Sequence, residues 1–391
     1  MVLFFSKNKA FQNFEWVLRG FPCHLPLNRT AGLRPAGTWD SGPLDRRTPA
    51  CWTADVPSAN FPTMKLALSC GKIPRDSVYL VVTMNHKPIC VIGSVVYDLV
   101  MTVDHLPTVG ETVPAGGFMT FIGGKGLNQA VQIHRLDAPL TFFGRVGDDH
   151  YGKEVLAVLK NENFPLDGIR VIPGDHTAMG MIFVAPDGRN LIGGFRAANM
   201  NFRLEEIDEP IRKAIRNSSI VSCQLETPDN VVYECLKYAK EHNVKTILNA
   251  APYRELDDKF QDVVDFLSVN EVESGQFFDC KISTHNDCDD ILMHPRVKDG
   301  SQVWVVTLGD RGAAVIDQSG IHPVPGIPVN AVDSTGAGDS FTGGFAVGIA
   351  EGLSALEAAQ FANRVAALSV TKLGGMTGLP RRVDVESVST A

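Results

Sequence analysis

The sequence predicts an α/β protein: a doubly wound, mostly parallel sheet flanked by helices, with a small antiparallel β lid. Three observations carry that expectation. From Met84 onward, short apolar runs recur at intervals, each followed by a helix-length segment. Most runs are β-branched or aromatic and apolar at consecutive positions, as strands covered on both faces should be. Residues 98–122 and 177–196 break the alternation with Gly/Pro-punctuated, strand-like pieces that leave no room for a crossover helix. They are placed together in the lid.

The first 83 residues precede this pattern. They hold eight of the 23 prolines and three of the four tryptophans, without sustained periodicity. Pieces such as Arg34-Pro35-Ala36-Gly37 and Asp40-Ser41-Gly42-Pro43 break any element that begins. An unstructured extension is expected over 1–83, with the folded α/β domain over 84–391. The extension carries ten Lys/Arg against five Asp/Glu and begins Met-Val-Leu-Phe-Phe, so a targeting role stays open. It lacks a secretory apolar stretch and amphipathic Arg spacing.

The strand candidates follow in order: 89–93, 140–144, 220–224, 246–249, 266–269 and 303–307. Helical stretches such as 229–243 and 355–370 lie between or beyond them. In the latter, Ala358, Phe361, Val365 and Leu368 repeat at three- and four-residue steps. Alternating strand and helix implies right-handed crossovers in a parallel sheet.

Composition excludes several function classes. With 44% hydrophobic and 20% charged residues, the chain can bury a core, which rules out wholesale disorder, collagen and coiled coil. The net charge of −8 argues against a general nucleic-acid binder. No apolar stretch approaches the roughly 18 residues of a membrane span. The eight cysteines form no C-x-x-C pair, so neither a disulfide framework nor a zinc site is expected, and the compartment reads as reducing.

Ligands of open α/β sheets bind beyond the carboxyl ends of the strands. Those ends lead here to Asp98, Glu226, Asn270 with Glu273, and Gly309-Asp310-Arg311-Gly312. The strongest local signal is Val332-Asp333-Ser334-Thr335-Gly336-Ala337-Gly338-Asp339-Ser340-Phe341. Small residues at 336–338 let backbone N–H groups face a concavity at a helix start, an anion hole. Asp339 beside it suits a base that removes a hydroxyl proton. The alternative is an Asp that caps a helix after a Gly-rich turn. The second signal is Gly123-Gly124-Lys125-Gly126-Leu127-Asn128, which matches neither a Walker A loop nor a dinucleotide fingerprint. Lys125 and Asn128, three apart on a first helical turn, project to one side and can serve a polyhydroxy ligand.

These two segments resemble the two signatures of the ribokinase-like (PfkB) carbohydrate kinase family. The likeness extends through Pro107-Thr108-Val109-Gly110-Glu111-Thr112, Gly147-Asp148-Asp149-x-x-Gly152, Gln224-Leu225-Glu226, Asn249-Ala250-Ala251-Pro252, Asn270-Glu271-Val272-Glu273, Thr307-Leu308-Gly309-x-x-Gly312 and Gly374-Gly375. It covers about 88–380 and is nearest to the ribokinases. The resemblance implies that Asp339 is the base, with Gly336, Ala337 and Gly338 as the anion hole. It assigns the sugar to Asp98, Gly124, Lys125, Asn128 and Glu226. ATP falls to Asn270, to Thr307, Leu308, Gly309, Asp310, Arg311 and Gly312, to Gly338, and to Asn363 near the purine. Glu273 would orient Mg²⁺ through water. Asp333 and Thr335, with backbone oxygens near Ser369, Lys372, Gly374 and Gly378, match a K⁺ site. A homodimer through paired lids, and a cytoplasmic or additionally nuclear location, accompany the likeness.

Two positions depart from the family pattern. Val96 stands where ribokinases carry Asn, which removes an amide from the sugar pocket. Gly378 stands where a hydroxyl side chain is common, which weakens the expected cation site. The expectation is ATP-dependent phosphorylation of a pentose, ribose first. The alternatives are another sugar, a nucleoside, or a non-catalytic binding member. His134, His150 and His176, and the Asp287-Asp289-Asp290 cluster, read as surface or loop residues.

Overall fold

The structure, a computed structural model, describes residues 87–279, 282 and 284–387, together with four strands nearer the amino terminus. The chain divides into two units at His86 and Lys87. In the first, β1 (Val2–Ser6), β2 (Cys51–Val56), β3 (Met64–Ser69) and β4 (Ser77–Met84) form an antiparallel sheet in the order β1-β4-β3-β2. The proline-rich composition of 1–83 gives little sign of these strands. Short β-prone runs such as Ser77-Val-Tyr-Leu-Val-Val-Thr-Met escape notice amid proline-broken sequence. The turn-like pieces at 34–37 and 40–43 lie outside the described residues.

The second unit is built on a nine-stranded sheet. Its strands are β5 (Ile89–Ile92), β8 (Leu140–Gly147), β9 (Ile169–Ile172), β12 (Ile220–Gln224), β13 (Lys245–Asn249), β14 (Phe266–Asn270), β15 (Val303–Thr307), β16 (Gly312–Asp317) and β17 (Gly320–Pro325). They lie in the order β17-β16-β15-β14-β13-β12-β5-β8-β9. Seven neighbours, β15 through β9, pair in parallel; β16 and β17 add an antiparallel edge. All six predicted strands are present. Sequence gives little sign of β9, which has four residues with Arg170 among them, or of the edge hairpin, where β16 opens on Gly-Ala-Ala and Pro323 and Pro325 interrupt β17.

Both faces of the sheet are covered, which explains the unbroken apolar runs. Along β5, Ile89 and Val91 join one core with Leu127, Ile133, Phe341 and Phe345. Cys90 and Ile92 join the other, with Val231, Cys235 and Leu236 from the Asp229–Glu241 helix. Alternate side chains therefore feed two separate layers.

The lid consists of β6 (Val96–Val103), β7 (Ala115–Gly123), β10 (Ala178–Val184) and β11 (Asn190–Phe195), in the order β11-β10-β6-β7. Its two hairpins are antiparallel, as expected. They join through one parallel pair, β6 with β10. A long excursion through β8 and β9 separates those strands, so the chain can re-enter in the same direction.

Candidate active site

The chain leaves β5 toward β8 on one side, while β12 pairs with β5 on the other. A crevice opens at the carboxyl ends of strands where the order reverses like this. Ser94 follows β5 and Glu226 follows β12. The Ser94 hydroxyl donates to Glu226 Oε2 at 2.5 Å, and Lys125 N–H donates to the same oxygen at 2.9 Å. The Lys125–Arg135 helix has Gly124 at its N-cap, with no side-chain cap of its own. Glu226 supplies that cap from a distant strand and benefits from the helix dipole. Glycine is required here by close approach: a Cβ on Gly126 would stand 2.5 Å from Ser94 N, and Gly124 holds φ +94°.

The opposing helix, Ala337–Ala350, begins after Gly336 at φ +77°. Asp339 lies in its first turn, buried, and makes no cap bond to that helix. Its carboxylate instead accepts from Asn128 Nδ2 at 2.9 Å and from Gln129 Nε2 at 3.4 Å. That decides against the capping alternative. Burial pushes the Asp339 carboxyl above its ordinary range; Lys125, Asn128 and Gln129 counter this in part, and Glu226 adds to it. A carboxylate with raised proton affinity and fixed orientation is the form a general base needs. A Cβ on Gly338 would meet nothing within 4 Å, so the cradle opens to space. Ala337 N–H turns back to Ser334 O at 3.2 Å, which leaves Gly336, Gly338 and the Asp339 amide as the better-placed donors.

Lys125 faces three acids. Burial works against its charge, but Asp339, Glu226 and Glu273 outweigh it and hold the ammonium above its ordinary value. Asn128 Oδ1 is buried with no partner, an acceptor awaiting a donor. Asp98 comes from the lid: a Cβ on Gly123 would stand 3.3 Å from Asp98 Oδ2 and 3.7 Å from Asn128 Oδ1. The two side chains therefore converge over Gly123. Burial and, secondarily, Glu226 raise the Asp98 carboxyl to about 6. Val96 shares the Asp98 face of β6 by alternation and pairs with Gly123 and Ala178.

On the other flank, Asn270 and Glu273 form a reciprocal cap on the Glu271–Phe278 helix. Asn270 Oδ1 accepts from Val272 N and Glu273 N, and Glu273 Oε2 accepts from Asn270 N at 2.9 Å. Burial raises the Glu273 carboxyl, with the Asn270 bond and Lys125 opposing. After β15, Gly309–Arg311 makes a short 3₁₀ turn between Gly309 at φ +61° and Gly312 at φ +95°. Leu308 is wholly buried, so it contributes backbone only, and Arg311 pairs with Glu271 at 3.3 Å. Asn363 is buried and donates to Pro325 O at 2.8 Å, which ties the Ala355–Ser369 helix to β17.

Behind the anion hole, Asp333 Oδ1 accepts from Thr335 N and Oγ1, and Oδ2 accepts from Gly374 N at 2.8 Å. A Cβ on Gly378 would stand 2.7 Å from Ser369 O and 3.5 Å from Lys372 O. The Ser369 and Lys372 carbonyls thus crowd Gly378, and Asp333 reaches the same stretch of chain at Gly374.

The structure also recruits residues to which sequence reasoning gave no role. Ser94, Gln129, Ser222 and Ser268 are wholly or almost wholly buried polar residues, just after β5, on the Lys125–Arg135 helix, and inside β12 and β14. Asn199 clamps Val95 through both its N–H and C=O. The available signal was a polar side chain inside or just after an apolar strand. His150 and His176 are exposed, and His134 bonds Glu162 O. Among the described residues no group of three or more His, Cys, Asp or Glu converges as a metal-ligand set, and no helix is long and apolar enough to cross a membrane.

A small lid sheet beside a doubly wound sheet, with a buried carboxylate next to a glycine-rich helix start, defines the ribokinase-like class of fold. Residues 86–382 match the model of the pfkB family carbohydrate kinases. The chain is 37% identical over 308 residues to the ribokinase of Bacillus subtilis, covering 77% of this chain and 99% of that one. It is 32% identical over 295 residues to the deoxyribokinase of Salmonella typhi, covering 75% and 95%. The structure of Arabidopsis thaliana ribokinase complexed with ribose and ATP superposes with a TM-score of 0.71 at 30% identity, covering 78% and 100%. The chain belongs to the pfkB family of carbohydrate kinases.

Proposed function

We propose that this chain transfers the γ-phosphoryl group of ATP to the 5-hydroxyl of D-ribose. The observation that carries the reading is Asp339, buried beside the anion cradle with both carboxylate oxygens oriented by amides of the sugar-binding helix. Asp339 takes the hydroxyl proton. The amides of Gly336, Gly338 and Asp339 stabilise charge that develops on the transferring group. Asp98, Glu226 and Asn128 hold the sugar hydroxyls, with Gly124 giving close backbone approach and Lys125 donating. Val96 offers apolar contact. Asn270, the 307–312 loop and Asn363 hold the nucleotide.

Mg²⁺ would supply charge neutralisation at the phosphates, and Glu273 would hold it through water with the oxygen its helix cap leaves over. Asp333, Thr335 and the carbonyls of Ser369, Lys372, Gly374 and Gly378 would hold K⁺ and brace the anion-hole loop. The lid leaves Phe118, Met181, Leu191 and Phe195 exposed, which supports pairing of two lids in a homodimer. A cytoplasmic location belongs to the same reading.

The test is a substrate screen with ATP and Mg²⁺, with and without K⁺, over pentoses, hexoses and nucleosides. Ribose should give the highest kcat/KM, and Asp339→Asn should lower kcat by about 10²- to 10⁴-fold with ATP binding retained. Preference for another sugar or a nucleoside by a hundredfold would overturn ribose. An Asp339→Asn enzyme that keeps more than a tenth of wild-type turnover would overturn the base.

A further inference from the structure

Gln129 is fully buried, one residue beyond Asn128 on the Lys125–Arg135 helix. An apolar side chain would suffice at a position that only packs. Instead this amide makes four contacts. Its Nε2 donates to Asn249 Oδ1 at 3.2 Å and to Asp339 Oδ1 at 3.4 Å. Its Oε1 accepts from Gln224 Nε2 at 2.6 Å and from the Ser222 hydroxyl at 3.2 Å.

The orientation of this group is determined from outside. Ser268 O, a backbone carbonyl that can only accept, takes Asn249 Nδ2 at 3.1 Å. Asn249 Oδ1 must then face Gln129, which must present its N–H groups to Asn249 and Asp339. Gln224 turns its own N–H toward Gln129 and leaves its Oε1 buried with no partner. A buried acceptor left unsatisfied is uncommon, and here it accompanies the correct aim of Gln129. Ser268 closes the circuit: its hydroxyl lies 3.1 Å from Thr342 Oγ1, which donates to Gly338 O at 2.9 Å. Strands β12, β13 and β14 thus each contribute a residue to one network ending at the base and its cradle.

We infer that Gln129 is a positioning residue for phosphoryl transfer, aimed by Ser222, Gln224 and Asn249 so that it holds the Asp339 carboxylate toward the substrate hydroxyl. The inference rests on the assignment of Asp339 as base. Besides these amides, Asp339 faces Lys125 from the same helix, Glu226 after β12 and Glu273 after β14. The variants below alter none of those groups.

The experiment compares wild type, Gln129→Met, Gln129→Glu and Gln224→Met for kcat, both KM values, the pH dependence of kcat and the melting temperature. Gln129→Met keeps length but removes the donor. Its kcat should fall about tenfold or more, since small misplacements of reacting groups cost up to about 100-fold, while both KM values stay within about threefold. Loss of one donor to the ionised base should move the acid limb of kcat up by about half to one pH unit. Gln129→Glu places a second carboxylate against Asp339 and should move it further. Gln224→Met removes one of the three groups that aim Gln129, loosening its hold on Asp339, and should shift the limb in the same direction by less. Acid limbs that superimpose on wild type in folded variants would overturn the inference, even if kcat had dropped. If the Gln129 variants do not fold, Gln224→Met decides by the same criterion. Wild-type protein with no sugar kinase activity would instead sink the proposed function itself.

Discussion

Gly180 offers a test of the sugar-binding role proposed for Asp98 in which no polar atom is removed. It lies on β10, in register with Asp98 of β6. A Cβ there would stand 2.1 Å from Asp98 Oδ1, where ordinary contact begins at 3.4 Å. The carboxylate must therefore retreat by more than an ångström, off the line on which it converges with Asn128. Gly180 does not use positive φ, so alanine brings no backbone strain of its own and should suit a strand better than glycine. A hydrogen bond to a charged group contributes about 1.5–3 kcal/mol, so Gly180→Ala should raise the ribose KM by about 10- to 100-fold. The KM for ATP should hold, because the change is confined to the lid face. Steady-state kinetics with ribose varied at saturating ATP reads this directly. Asp98→Ala and the double variant complete a cycle: if Gly180 acts through Asp98, the second change adds almost nothing to the first. A ribose KM within twofold of wild type in Gly180→Ala would refute the role given to Asp98.

Other consequences can be measured on the same enzyme. Protonated Asp98 loses acceptor capacity, so the ribose KM should rise as the pH falls below about 6, while the ATP KM changes less. For the sugar-free protein the sign is opposite: with the pKa raised above 3.8, the stability due to Asp98 is full below that value. It is lost as the pH rises through about 6, which thermal melts across that window would show. Val96→Asn should lower the ribose KM several-fold with kcat unchanged, since one added hydrogen bond contributes about 0.5–1.5 kcal/mol; an unchanged KM would mean that Val96 does not face the sugar. A chain starting at Met84 should match the full chain in kcat and melting temperature, because the family match begins at residue 86 and β4 ends at Met84. An inactive or insoluble shortened protein would assign the first unit a role.

The fold was legible wherever a strand is buried on both faces. Runs such as 220–224 and 303–307 are apolar without interruption because two cores press on them, and their predicted bounds match β12 and β15. The chemistry was legible where glycine marks a backbone approach, as at Gly124, Gly126 and Gly336. What escaped notice was support. Ser94 looks like a turn residue and Gln129 like a helix surface residue until the fold buries them. Their polarity acquires meaning from distant partners, Glu226 lying 132 residues from Ser94 and Gln224 95 residues from Gln129. The capping role of Glu226 was hidden for the same reason, since Lys125 N–H meets it from 101 residues off. Spacing along a chain reports neighbours on one element, not contacts across a sheet.

The charge balance of the site sets an order on its chemistry. Glu226, Glu273 and Asp339 face a single lysine, Asp98 lies within reach of the Glu226 charge, and burial holds Asp98, Glu273 and Asp339 above their ordinary pKa range. Four acids against one ammonium make a poor receptor for a polyphosphate alone. The anion-hole amides carry only partial charge, so they stabilise a developing oxyanion without offsetting the carboxylates at longer range. A nucleotide that arrives with its divalent cation brings the missing positive charge, and the same charge lowers the proton affinity of nearby acids. Asp339 would then be ionised when a hydroxyl is ready to lose its proton, and less readily so in the empty site. On this account ATP without Mg²⁺ should bind this protein far more weakly than the complex, and titration calorimetry with and without the metal measures the difference. Equal affinities would show that Lys125 and the helix N-terminus already balance the acids, and the ordering would fail.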